Sequence, residues 1–237
     1  MRIFDKSKKL GWRPEEDREY LKKYGLSRET IPSLATPVIF GIGWYTSFDE
    51  PEADENGRYW IGRGNLGYIR GGHSICSQPG NCKDNWQWYL YYNQGKEGSC
   101  VGYSLSRAVS LLNRQTYDAK WLYNEAQLID EFEDTPPEEG TSIRAGCDIL
   151  VSRGHKKIYR GITIPEKIGE GISKYRWATS MDDIFSSLKN DLAFELDAIP
   201  LLNSWGKGYP RVVWIPSKVL EFVVFEKNGE AAILTDR

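Results

Sequence analysis

A chain of 237 residues can bury a sizeable core, as one domain or as two closely packed lobes. Its 40% hydrophobic and 27% charged residues are ordinary for a soluble globular protein, and a net charge of −2 with dispersed Lys and Arg argues against nucleic acid as a partner. No stretch approaches the roughly 20 apolar residues that span a bilayer, and Met1-Arg2-Ile3-Phe4-Asp5-Lys6 lacks the apolar core of a signal peptide. The expectation is a protein of the reducing cytoplasm, with no membrane partner. Cys76, Cys82, Cys100 and Cys147 form no Cys-x-x-Cys pair, and His73 and His155 lie far apart, so neither a metal nor a cofactor is expected. Cys76 and Cys82 would bridge only in an oxidising setting.

Residues 1–34 are charged and weakly periodic and read as an N-terminal arm, with a short helix over 15–24. The β-branched and aromatic run 38–45 predicts a buried strand. Asn56-Gly57 is a hairpin signal before a strand at 58–61, and the glycine-rich stretch 62–72 leads to a strand at 73–76, followed by a turn at Pro79-Gly80-Asn81. From Cys100 the period becomes helical, with Val101, Leu105, Ala108 and Leu112 on one face. A second helix is predicted over 119–129, with Trp121, Leu122, Ala126 and Ile129 inward. The acidic stretch 133–140, with Pro136-Pro137, is a loop. Thr141 or Ser142 can cap a third helix through Ile143, Cys147 and Leu150, closed by Gly154. Ser180 and Asp183 resemble a capping pair ahead of Ile184 and Leu188. Strands follow at 193–196, 200–202, 212–215 and 231–234, interrupted by a helix at 218–227 that ends at Asn228-Gly229. Helices in the middle and strands at both ends imply an α+β arrangement, with 35–76 and 192–237 in a β lobe and 94–190 mainly helical.

Three segments carry chemistry. Gln94-Gly95-Lys96-Glu97-Gly98-Ser99-Cys100 sets a thiol at the start of a helix, where the dipole favours thiolate, and a glutamine amide upstream that could donate to an oxyanion. Gly98 and Ser99 are small and leave room for a substrate. Gly71-Gly72-His73-Ser74 offers a base at an open strand edge, and Asn203-Ser204-Trp205-Gly206 an orienting amide with an aromatic shield. The bland readings differ by residue. Cys147 belongs on an apolar helix face, and His155, in Arg153-Gly154-His155-Lys156-Lys157, reads as part of a solvated basic turn.

On these residues the chain resembles the papain-like cysteine peptidases, and among them the compact bacterial and phage members. Gln94-Gly-x-x-Gly-Ser-Cys100, Gly72-His73 and Asn203-Ser-Trp-Gly206 carry the likeness. The helix after Cys100 and Trp214-Ile215-Pro216 extend it loosely over 35–230. The resemblance implies a two-lobed fold, a helical lobe packed on a β-rich, barrel-like lobe. It also implies a cysteine endopeptidase acting on a peptide or protein. Cys100 would be the nucleophile, His73 the base and Asn203 its orienter. Gln94 and the Cys100 N–H would form the oxyanion hole, with support from Trp205, Gly98 and Ser99.

The chain departs from the family at Val101, where an aromatic is usual, and lacks the cysteine that the family carries just ahead of the nucleophile. The family order is also Cys, His, Asn, whereas here His73 comes first. Moving residues 36–76 to a point near Asp191 would restore that order, with Thr36 continuing from the helix that ends near Leu188. Triads are defined by geometry rather than chain order. Other readings use the order as it stands. Adenovirus-type and SUMO-protease-type peptidases run histidine first, and would take Asp84 or Asn85 as orienter. A peptidoglycan amidase would want another histidine or acid in place of Asn203. A catalytically inactive binding or structural module is the alternative outside enzymes.

Overall fold

The computed structural model describes residues 35–80, 92–132, 139–159, 162–169 and 171–235. The arm at 1–34, the helix expected at 15–24, Cys82, Asp84, Asn85 and most of the 133–140 loop lie outside them. Strands β1 (Val38–Tyr45), β3 (Tyr59–Trp60), β4 (Ile69–Ser77), β9 (Ala198–Leu202), β10 (Val213–Pro216) and β11 (Glu230–Thr235) stand close to where the sequence puts strands, and β2 (Glu52–Ala53) is a short strand that it does not predict. With β8 (Lys174–Trp177) they form one mixed sheet of eight strands, in the order β2-β3-β10-β9-β4-β1-β11-β8. The order is open, and closure into a barrel is not seen among the described residues.

The mostly apolar character of β1, β9, β10 and β11 has a simple cause: helices cover both faces of the sheet. Ile39, Cys76, Leu202, Ala232 and Leu234 point to one side. There they meet α1 (Cys100–Asn113) and α3 (Ile143–Ser152), with α2 (Ala119–Gln127) packed behind. Their neighbours Val38, Phe40, Ile75, Leu201 and Ile233 point to the other side, toward α4 (Met181–Leu188) and α6 (Ser217–Glu221). The strand period of two thus sorts alternate residues into two cores. Helix starts follow the sequence signals: the Ser142 hydroxyl accepts from the Ala145 N–H at 3.1 Å, and the Ser180 hydroxyl from the Asp183 N–H at 3.2 Å.

Several expectations are corrected. Residues 193–196 are not a strand. Asn190 accepts from the Ala193 N–H at 3.2 Å and starts α5 (Asp191–Glu195), so a helix cap overrides an apolar run too short to show its period. The middle of the chain is less helical than expected. β5 (Thr116–Tyr117), β6 (His155–Tyr159) and β7 (Ile162–Gly169) form a second, three-stranded sheet, and β8 joins the large one. Lys, Arg and Glu break the apolar pattern through 155–177 and hid these strands. Helix α4 packs with the β-side core rather than with α1–α3. Ile129 lies beyond the end of α2 and is exposed, while Trp121 is only half-buried. No helix among the described residues is long and apolar enough to cross a membrane.

Candidate active site

Cys100 is the first residue of α1, and Ser99 is its N-cap. The first turn is closed by the Tyr103 N–H donating to the Ser99 carbonyl at 3.2 Å. The Cys100 N–H therefore has no partner within the helix and sits at the positive end of its dipole. The helix start alone would favour thiolate. In the free site burial outweighs it and pushes the thiol up, while backbone groups of Ser74, Val101 and Cys100 itself pull it back.

His73 stands on β4 opposite Ile42. Its Nε2 meets Asn203 Oδ1 at 3.0 Å, a buried contact between residues far apart in the chain. Asn203 Oδ1 also accepts from the Ser204 N–H at 2.7 Å, which identifies that atom as the oxygen. His73 Nε2 is therefore the donor, and Nδ1 keeps its lone pair in the neutral ring. Burial pulls the imidazole down to about 4. Arg70 adds to that, and Asn203 and Asp49 oppose it.

Trp205 lies beside this bond, with its ring 5.1 Å from the His73 ring. The asparagine motif is joined to the segment ahead of the cysteine: the Gln94 N–H donates to the Ser204 carbonyl at 2.9 Å, and Asn93 bridges to Trp205. Gly206 makes this contact possible, since its φ is +67° and a Cβ there would sit 2.8 Å from the Asn93 side chain. Gln94 Nε2 gives one hydrogen to the Glu97 carbonyl at 3.1 Å, leaving its second N–H available.

The Ser74 and Ser104 hydroxyls, 2.6 Å apart, tie β4 to α1. One follows His73, and the other lies a turn below Cys100. Cys100, His73 and Gln94 line one cleft of about 780 Å³. Among the described residues no hydrogen bond joins Cys100 to His73. On β1 the helix-facing position changes from Ile39 to Gly41, over which Glu230 and Ile143 pack. Glu230 lines the same cleft, and burial, aided by Glu131 and opposed by Arg144, holds its carboxyl up at about 7.

Gly98 lines the cleft, where an added Cβ would meet the Glu139 side chain at 2.9 Å and its backbone at 3.0 Å. One reading changes. His155 is not in a solvated turn. It is fully buried, stacked 4.7 Å from Tyr117 and 2.7 Å from the Ser106 hydroxyl, and burial pulls it down to about 3. It is not among the residues that line the cleft. Trp44, Asp49, Arg70, Tyr209 and Glu230 also line the cleft and carry no local signal in the sequence. The spacing of Ser104 from Cys100 was the one available hint of the serine bridge. No protein-family model matches the chain, and no curated protein matches it either.

Proposed function

We propose that this chain is a cysteine endopeptidase with a papain-like two-lobed fold, and that the order His73, Cys100, Asn203 reflects a rearranged connectivity. The observation that carries the reading is the buried bond from His73 Nε2 to Asn203 Oδ1, in a cleft that also holds a cysteine at a helix start. The Cys100 sulfur lies against the backbone of Ser74, next to the base.

In the reaction the Cys100 proton passes to His73 Nδ1, and the sulfur attacks the peptide carbonyl carbon. The Cys100 N–H and the free Gln94 N–H stabilise the oxyanion. The C–N bond breaks as His73 protonates the departing amine, leaving a thioester. Water then gives a proton to His73 and its oxygen to the carbonyl. The acid leaves, and the proton returns to sulfur. Asn203 holds the ring in the tautomer that these transfers need. No cofactor enters.

One observation favours the second reading, an inactive module: burial disfavours the charges on both Cys100 and His73. Hydrolysis of a denatured protein or a peptide library separates the two. Cys100→Ala and His73→Ala should each abolish turnover, and Asn203→Ala should reduce it by about 10- to 100-fold. His155→Ala, once corrected for folded fraction, should retain it. Equal turnover by wild type and Cys100→Ala would reject the peptidase reading.

A further inference from the structure

The His73 ring is anchored at one atom by Asn203, and one hydrogen bond does not fix the plane of an imidazole. Two aromatic walls do. Trp205 stands on one side, and Trp44 meets the ring edge-to-face at 4.7 Å and 74°. The two indoles also touch each other, 5.0 Å apart. Trp44 is itself fixed. Its indole N–H donates to Asp49 Oδ1 at 2.9 Å, and the second oxygen of Asp49 receives Arg70 at 2.9 Å.

Arg70 reaches Asp49 because of an irregularity in the sheet. Trp44 pairs with Gly71 but Tyr45 pairs with Ile69, so Arg70 is the extra residue of a bulge in β4. Bulges re-aim side chains, and they are common beside active sites. The chain of contacts starts on the strand that carries His73 and returns to His73, and every member lines the cleft.

We propose that Trp44 is a positioning residue for the catalytic histidine, held by Asp49 and the bulged Arg70, and that this circuit belongs to the catalytic machinery. This rests on the peptidase reading for its effect on turnover, though not for its effect on the ring. The charges add a second handle. Arg70 lowers the proton affinity of His73 and Asp49 raises it. Cys100 and Tyr209 line the same cleft, as do the charged Lys96, Glu97, Glu139 and Glu230, but the charges that act on His73 are those of Arg70 and Asp49.

The test uses Asp49→Leu, Asp49→Asn and Arg70→Gln in the full chain. With only two histidines, isotope-labelled histidine NMR reads His73 directly, and His155, in the other core, reports folding. Asp49→Leu removes the acceptor for the indole. It should move the His73 ring signals and lower kcat by about 10- to 100-fold, with KM little changed. Asp49→Asn keeps an acceptor and should restore most of both. Arg70→Gln should raise the His73 titration midpoint. His73 signals and midpoint that stay at wild-type values in Asp49→Leu and Arg70→Gln, with His155 unchanged, would overturn the proposal. If no variant cleaves peptides but the NMR shifts appear, the circuit stands and the peptidase reading falls.

Discussion

The two histidines show what a residue's neighbours decide. His73 and His155 are both buried, and burial pulls both down, to about 4 and about 3. Of the two, His73 lines the cleft that holds Cys100 and His155 does not. In the unfolded chain each would take a proton near 6.5, so stability is fully present above that pH and is lost as pH falls toward the folded values. Glu230 acts in the opposite sense. Its raised carboxyl binds a proton more tightly when folded, and it offsets about one histidine between its ordinary value and about 7. The net expectation is a loss of about 1.4 kcal/mol per pH unit between roughly pH 6.5 and 4.5. His155→Phe should cost about 1–3 kcal/mol at pH 7, through the unpaired Ser106, and should nearly flatten that slope. Urea unfolding across the range measures both. An unchanged slope would contradict the assignment to His155. The sequence concealed this histidine because its immediate neighbours are basic. Its partners Tyr117 and Ser106 come from elements distant in the chain.

Among the elements, those with a local cause were legible. The start of α1, the Ser142 and Ser180 caps and the strands around His73 and Asn203 follow from caps and apolar runs. The strands β6–β8 and the helix α5 did not. Their charged residues and short lengths leave little periodicity to read. The β1–β4 segment also bears on chain order. The Thr36 N–H donates to the Ser187 carbonyl at 2.8 Å, and Asn190 Nδ2 donates to the Gln78 carbonyl at 3.1 Å. The two ends of the segment lie side by side as well, with the Val38 N–H donating to the Ser77 hydroxyl at 2.7 Å. Residues 36–78 therefore begin and end beside the turn after α4. A chain joined as 1–35, 79–188, 36–78, 189–237 should fold to the same structure, within about 1 kcal/mol of the original, because few loops lengthen. It would place the cysteine before the histidine and asparagine. NMR fingerprints and chemical denaturation compare the two. A rearranged chain that stays unfolded would contradict this account of the topology.

At the scale of the whole molecule, the cleft forms where one sheet face gives up its side chains. Ile39 and Cys76 pack against α1, but Gly41, Gly43 and Gly72 bring no bulk to the same side. The helical layer is held there by the Ser74–Ser104 bridge, so Cys100 from one layer faces residues of the other. The three motifs marked from sequence the residues that the fold brings together, with Cys100 and His73 in one cleft and Asn203 bonded to His73. The walls around them were not legible, because a tryptophan in a strand is common in any core and an aspartate after a strand is common in any turn. If Cys100 and His73 act together on a peptide carbonyl, a peptidyl electrophile will be drawn to that sulfur. Reaction with such a probe, followed by mass-spectrometric mapping, should give one adduct, on Cys100 and not on buried Cys76 or Cys147, formed at least about 100-fold more slowly in His73→Ala. An adduct on another cysteine, or labelling of Cys100 at the same rate without His73, would contradict it.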